Sequence, residues 1–445
     1  MHLSDGGLAP PLLILVASVF LSSCEEAYRL EDALPEAPGA NVLVISFDAL
    51  RADGLGLYGY HRDTSPNLDA FAREALVFDR AYSAAPVTPT SFAAALTGLH
   101  PFKVFIGWQM VPTKTLAAVM REAGYHSFAL LNNVQLVSER NFDEGFEVFE
   151  TGPWKERELL QLAISTIDEA AAIGRPFFGW VHFISPHTPY DFRKLSAHLS
   201  SPRTEGRFAE GTGGTFEVET EEELRRVRDL YDGEVFFADY LFGELLAHLQ
   251  NSGLLDETIV IVTSDHGEEF MDHGQLQHNT LYEEVIRIPL LIRHPGNLAG
   301  SRSDAPVVNM DLLPTIASMT GAEVPQELDG IDLREPIDRD RHRIVTAMTN
   351  NQRYEILSEQ DGRKLIQTCT EEFREELYDL NTDPGEKHNL ILDDPALANH
   401  LDELLGEALP VEPCGMIRAV TQGRAPQDLL SPEQIEELKS LGYIQ

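Results

Sequence analysis

The chain has 445 residues, beyond the size at which one hydrophobic core usually stops growing, so one large domain and a smaller C-terminal piece are expected. Hydrophobic residues at 43% and aromatics at 8% give an ordinary globular composition. With 72 acidic against 34 basic residues the net charge is −38, which repels nucleic acid and excludes it as an expected partner. An anionic substrate would need a local positive field on such a surface, and a bound metal ion supplies one.

Residues 11–21 form a single apolar run that is too short to span a membrane and fits a signal-peptide core. The next residues, Leu21-Ser22-Ser23-Cys24, resemble a bacterial lipobox. That resemblance implies a signal peptide over 1–23, lipidation of Cys24 as the mature N-terminus, and an exported, membrane-anchored lipoprotein. Residues 1–10 depart from the pattern: they carry Asp5 and no Lys or Arg. Residues 24–39 read as a polar tether. Cys369 and Cys414 remain, either as a disulfide or as two free thiols.

Four near-continuous apolar runs follow. They are Asn41–Phe47 ending at Asp48, Tyr125–Leu131 ending at Asn132-Asn133, Pro176–Ile184 ending near His187, and Thr258–Ser264 ending at Asp265-His266. Such runs predict strands buried on both faces of a parallel sheet. Helical patterns lie between them at Asn67–Ala75, Thr115–Ala123, Lys155–Ile173 and Glu221–Leu249. The alternation predicts an α/β fold with a mainly parallel sheet flanked by helices, and places ligands beyond the carboxyl ends of the strands. Ser200–Thr220 is rich in Gly, Thr, Glu and Ser and reads as a surface insertion. Ile344–Leu380 alternates short apolar segments with turns, which suggests a small antiparallel sheet. Ala396–Leu409 and Pro432–Leu441 look helical. The expected division is a catalytic domain over 40–335, an antiparallel subdomain over 336–395 and a helical tail over 396–445.

Asp48, at the end of a buried strand, is a costly carboxylate unless it is paired or metal-bound. Asp265-His266 offers an oxygen and an imidazole nitrogen at another strand end, a mixture suited to Zn²⁺, Mn²⁺ or Ca²⁺. Thr88, followed by Pro89, has the position of a helix N-cap. A hydroxyl there also faces the positive end of a helix, where a nearby metal would activate it.

These residues sit in motifs that resemble the sulfatase family of the alkaline phosphatase superfamily. Phe47-Asp48-Ala-Leu-Arg-Ala-Asp-Gly, Thr64-Ser-Pro-Asn-Leu-Asp69, His182-Phe-Ile-Ser-Pro-His-Thr-Pro-Tyr190, Thr263-Ser-Asp-His-Gly-Glu268 and Glu376-Leu-Tyr-Asp-Leu carry the likeness over about residues 40–395. So does Thr88-Pro89-Thr90, nine residues before Thr97-Gly98. By position, the resemblance implies one divalent ion held by Asp48, Thr88, Asp265 and His266. Thr88 would be the nucleophile, His187 would contact the ester or protonate the leaving group, and His278 would contact the ester anion. His182 reads as structural and His273 as undecided.

Thr88 stands where the family has the Cys or Ser that becomes formylglycine, Phe92 stands in place of an Arg, and Ala49 in place of a second Asp. Lys103 is the expected replacement cation. A threonine cannot become formylglycine, and relatives with Thr at this position act mostly on phosphodiesters or transfer phosphoryl headgroups. The resemblance therefore points to a metal-dependent hydrolase or transferase with phosphoesters favoured, and with a carbohydrate or lipid headgroup carrying the anionic ester. Two alternatives stay open: a sulfuric ester hydrolase without formylglycine, and a surface binding protein with a degenerate site.

Overall fold

The computed structural model describes residues 30–106, 109–191, 193–199, 218–296, 300–335, 343–348, 354–360, 362–369 and 373–408. The signal peptide, Cys24, most of the 200–220 insertion, Cys414 and the second tail helix fall outside them.

The four apolar runs form the middle of one sheet because none of them has a polar face to offer water. Strands β1 (Asn41–Asp48), β2 (Leu76–Tyr82), β3 (His126–Leu131), β4 (Val148–Thr151), β5 (Phe177–Pro186), β6 (Thr258–Ser264), β7 (Leu290–Arg293) and β8 (Ser301–Val308) assemble in the order β8-β2-β7-β6-β1-β5-β3-β4. Only β7 runs antiparallel to its neighbours. In the centre Val44 lies opposite Trp180 on one side and Ile261 on the other.

Alternate residues of β1 serve opposite faces. Val42 and Val44 join Phe178, Trp180 and Ile261 in one apolar layer. Helices α2 (Thr88–Thr97), α3 (Leu116–Glu122) and α7 (Leu312–Thr320) cover that layer through Ala93, Met120 and Ile316. Leu43, Ile45 and Phe47 face the other layer, under α1 (Pro66–Phe71), α4 (Glu156–Ala172) and α5 (Glu221–Ser252), with Leu68, Ile167 and Leu241. Each such side chain contributes roughly 1.5–3 kcal/mol by leaving water. Gly179 in β5 leaves room for the Phe128 ring: a Cβ there would sit 2.3 Å from its Cζ, so a larger residue would have to displace that buried ring.

The tether expectation holds for none of residues 33–39 that touch the body. Ala33 and Leu34 are buried, the Ala37 N–H donates to the Met319 carbonyl, and Arg334 donates to the Leu34 carbonyl. Two apolar side chains among acidic neighbours were enough to dock this segment.

The C-terminal antiparallel sheet is a meander of β9 (Arg343–Met348), β10 (Tyr354–Gln360), β11 (Arg363–Cys369) and β12 (Arg374–Asp379). Helix α8 (Pro395–Ala408) packs Ala398 and Leu401 against Leu365 and Leu377 of this sheet. A buried ionic group joins it to the main domain at α6 (Glu283–Ile286). Lys364, 0% exposed, places Nζ 2.7 Å from Glu386 Oε1 and 3.1 Å from Glu283 Oε1. Glu386 Oε2 accepts the Glu283 N–H at 2.7 Å. Burial would lower the Lys364 ammonium, but Glu386 and Glu283 hold it well above the usual lysine range.

Lys364→Met should therefore cost about 3–5 kcal/mol in urea unfolding, because it strands a buried carboxylate. A loss below about 1 kcal/mol, the worth of an exposed pair, would show that the group does not join the two parts.

Candidate active site

β1, β3, β5 and β6 are adjacent and parallel, so their carboxyl ends share one edge of the sheet. That edge collects Asp48, Asn132-Asn133, His187 and Asp265-His266. Helix α2 aims its first residue, Thr88, at the same place. Its position is fixed by Ser91, whose hydroxyl donates to the Asp265 carbonyl at 2.8 Å and accepts from Asn309 Nδ2 at 2.8 Å. The N-cap expectation for Thr88 is corrected here. Val87 is the cap residue and Thr88 is already helical, which frees its hydroxyl. Thr88 Oγ1 lies 3.3 Å from His266 Nε2 instead.

Both aspartates are 0% exposed, and each is half satisfied by protein. Asp48 Oδ2 accepts Asn133 Nδ2 at 2.7 Å, while Oδ1 has no hydrogen-bond partner among the described residues. Asp265 Oδ1 accepts the N–H groups of Ala49 (3.0 Å) and His266 (2.8 Å), while Oδ2 has none. Ala49 adopts φ 60°, a left-handed conformation that costs a non-glycine residue about 1–2 kcal/mol. That turn aims its N–H at Asp265, and Tyr231 fixes it from behind by donating to the Ala49 carbonyl at 2.8 Å. Burial alone would raise the Asp48 carboxyl. His187 first, then His182 and His266, overcome burial and hold it well below the usual carboxylate range.

Two imidazoles approach these carboxylates, and His266 faces the bare oxygens. His266 Nε2 is 3.4 Å from Asp265 Oδ2 and 3.9 Å from Asp48 Oδ1. His182 Nε2 is 3.5 Å from Asp48 Oδ2, and Asp48, His182 and Asp265 offer ligand atoms that all lie within 4.8 Å of one another. His182, read as structural from sequence, is therefore part of the site. Hydrogen-bond accounting separates the two rings. His266 Nδ1–H donates to the Gly267 carbonyl at 2.8 Å, leaving a lone pair on Nε2. Burial lowers the His266 pKa to about 4, so that lone pair persists at neutral pH. Ser46 Oγ accepts from Trp180 Nε1–H at 2.8 Å and lies 2.9 Å from His182 Nδ1. If the buried Ser46 hydroxyl donates to Nδ1, the His182 hydrogen sits on Nε2 and points at Asp48. Two bare carboxylate oxygens, an imidazole lone pair and a hydroxyl suit one divalent cation, so the donor set fits a metal.

The remaining sequence-predicted residues divide. His187 donates Nδ1–H to the Thr188 carbonyl at 2.6 Å, which leaves Nε2 available. Its ring centroid lies 5.3 Å from that of His278, which stacks on His266 at 4.1 Å. Burial would lower His278, but Glu268, 3.1 Å from its Nδ1, raises it above the usual histidine value. Lys103 is not brought to the site. Its Nζ pairs with Asp329 at 2.7 Å, and the Asp329 N–H bonds to the Gly98 carbonyl. Gly98 caps the far end of the ten-residue α2, about 15 Å from Thr88 along the helix. Phe92 fills core, with its ring 4.8 Å from Trp180 and 5.0 Å from His182. His273 is held away from the cluster, between Glu284 (2.6 Å) and the Glu386 carbonyl.

Sequence reasoning missed Asn133, Ser91 and Tyr231 because an amide, a hydroxyl and a phenol that brace ligands carry no motif of their own. Gly267 did carry a signal, as the residue after Asp265-His266. A Cβ there would meet the Glu284 carbonyl oxygen at 2.1 Å.

Asn133→Leu should weaken affinity for an added divalent ion by about 10–100-fold while the fold persists, since it removes the amide that donates to Asp48 Oδ2 at 2.7 Å. Chelator competition on the folded variant reads this directly, and unchanged affinity would remove Asn133 from the site.

Comparison with known proteins completes the picture. The family profile described as Sulfatase matches residues 40–322, and the one described as N-sulphoglucosamine sulphohydrolase, C-terminal, matches residues 271–409. An ulvan-active sulfatase of Formosa agariphila is 25% identical, over 89% of this chain and 86% of its own. The phosphonate monoester hydrolase of Agrobacterium radiobacter shares the fold with a TM-score of 0.68 at 21% identity, over 83% of this chain and 96% of its own. So does a protein solved in complex with its substrate D-glucosamine-2-N,6-O-disulfate, with a TM-score of 0.71 at 20% identity, over 83% of this chain and 97% of its own. With the first profile spanning more than half of the sequence, this chain belongs to the sulfatase family.

Proposed function

We propose that the protein is a metal-dependent ester hydrolase or transferase in which Thr88 attacks a phosphate or sulfate ester, with phosphoesters favoured. The observation that carries this reading is the placement of the Thr88 hydroxyl at the head of α2, 3.3 Å from the neutral nitrogen of His266, which itself lies 3.4 Å from the bare oxygen of Asp265 and 3.9 Å from that of Asp48. A bound divalent ion would draw the ester oxygens and lower the pKa of the hydroxyl. The residues do the rest. Thr88 and His266 would hold that ion together, which would fix the hydroxyl, and the helix terminus favours an incoming anion. His187 Nε2 meets the leaving oxygen, and His278 meets the ester anion. Thr88 Oγ1 gives up its proton as it bonds to phosphorus, the bond to the leaving oxygen breaks, and that oxygen takes up one proton, so the step gains and loses none overall. Water or a second alcohol then displaces Thr88, which regains its proton.

Phosphorus is preferred because a threonine sulfate ester lacks the geminal hydroxyl through which formylglycine expels sulfate. The second reading, sulfate ester hydrolysis, draws on the named activity of the Formosa agariphila relative. The anionic ester would sit on a carbohydrate or a lipid headgroup. A third reading, binding with little turnover, draws on Ala49 and Phe92.

Purified protein loaded with Mn²⁺, Zn²⁺ or Ca²⁺ should hydrolyse a chromogenic phosphodiester faster than a chromogenic sulfate monoester. Thr88→Ala should lower kcat by about 10³-fold or more, the scale seen when a nucleophile is removed. Turnover that survives Thr88→Ala sinks the nucleophile, a reversed substrate order selects the sulfate reading, and bound metal without turnover selects the binding reading.

We also infer export and anchoring through Cys24, from the apolar run and lipobox-like residues at 11–24. Labelled palmitate should enter the wild-type protein and not Cys24→Ala. Equal labelling would place the anchor elsewhere.

A further inference from the structure

Behind the His187 loop stand two buried carboxylates that the chemistry above does not use. Glu156, the first residue of α4, is 8% exposed. Its Oε1 accepts the Ser185 N–H at 3.0 Å and Asn132 Nδ2 at 3.4 Å, while Oε2 has no hydrogen-bond partner among the described residues. Glu234, in α5, is 1% exposed. Its Oε2 accepts the Ser185 hydroxyl at 3.1 Å and Arg193 Nε at 2.8 Å, and its Oε1 accepts the Asp191 N–H at 2.9 Å. Ser185 is thus held by its backbone from one helix and by its side chain from another, two residues before His187. Glu234 also closes the far end of the same loop through Asp191 and Arg193.

Glu156 links this loop to a second one. Asn132, which it holds, adjoins Asn133, the amide that fixes Asp48 Oδ2. His187 in turn exerts the largest charge effect on Asp48. The loops bearing His187 and Asn133, whose strands are already joined by the Asn132 N–H to the His182 carbonyl at 2.9 Å, are thus tied a second time through one carboxylate oxygen. Burying two carboxylates near a single cation, Arg193, is expensive, and apolar side chains would fill the same space at lower cost. The expense is understandable if both acceptors are needed to orient the loop.

We propose that Glu156 and Glu234 are positioning residues that pin the Ser185–Arg193 loop and thereby keep the His187 imidazole fixed beside Asp48. The proposal deepens the reading of His187 as the group that meets the ester, and rests on it. Neither carboxylate touches the reacting atoms.

The test compares Glu156→Gln with Glu156→Ala in the metal-loaded full chain. The glutamine keeps an Oε1 acceptor for Ser185 and Asn132 and should leave kcat within about twofold, whereas the alanine should lower kcat roughly 30–100-fold, the scale of a 1 Å misplacement. KM should stay unchanged in both, and bound metal should stay unchanged in Glu156→Gln. An independent readout is the ¹⁵N imidazole spectrum of His187, assigned by its loss in His187→Asn. Wild type and Glu156→Gln should show a single Nδ1–H tautomer, and Glu156→Ala a shifted or mixed signal. If Glu156→Ala does not fold, Ser185→Ala removes only the Glu234 contact and should show the same spectral change with a smaller kcat loss. An unchanged His187 spectrum in the alanine variants overturns the proposal, as does an equal kcat loss in Glu156→Gln and Glu156→Ala. A wild type that turns over no ester would defeat the proposed function instead, while the spectrum still decides the positioning role.

Discussion

Asp48 and Asp265 meet in the dry interior with one oxygen of each bonded by protein and the other bare. Two uncompensated carboxylates this close repel each other and lose their hydration, a cost of several kcal/mol per ion. The surroundings are organised around it. Asn133 takes one oxygen, the strained turn at Ala49 turns an N–H onto another, and the imidazoles of His187, His182 and His266 surround Asp48. What stays unsatisfied points to one place, and a divalent cation is the species whose arrival would settle both charges. Metal binding there would be coupled to folding of the site through that residual repulsion.

The sheet makes this convergence possible at little local expense. Parallel neighbours deliver their carboxyl ends to one edge, so short loops from four strands need travel only a few residues to meet. The loop after β6 travels farther and needs outside support. Arg51 donates to the Glu268 carbonyl and to Asp272, Tyr190 donates to Glu268 Oε2, and Gly267 lies against the Glu284 backbone. Glu283 is then held from the C-terminal side by Lys364, and His273 of the loop itself ties Glu284 to the Glu386 carbonyl. The antiparallel sheet thus contributes to the site without entering it, by fixing the loop that carries His278.

Strand ends were readable because an apolar run that stops at an ionisable residue marks both a buried strand and its exit. Asp48 and Asp265-His266 were legible in that way, as were the helices between the runs. His182 was not, because it lies inside the run from Pro176 to Ile184, where periodicity alone reads any residue as core. Glu156 and Glu234 were hidden by the opposite effect: a carboxylate near the start of a helix or within an amphipathic one normally faces water. Lys103 was misplaced because proximity in sequence to Thr88 was taken for proximity in space, and α2 separates the two along its full length. Ala33 and Leu34 docked where composition suggested a free tether, since two apolar residues weigh little in a window of polar ones.

The loss of an arginine at Phe92 changes what kind of positive field this site can present. An arginine would carry a permanent charge. Phe92 instead packs its ring against Trp180 and His182, the two side chains that Ser46 also bonds, and so helps to hold a histidine that faces Asp48. With Lys103 neutralised by Asp329, the protein's own positive charge near Thr88 comes from imidazoles. Of these, burial keeps His266 neutral, whereas Glu268 raises His278 against its burial. One histidine is thereby suited to offer a lone pair and its stacked neighbour, 4.1 Å away, to hold a proton. Two like rings in contact acquire opposite tendencies because burial outweighs Asp265 and Asp48 at His266, whereas Glu268, bonded to Nδ1, outweighs burial at His278.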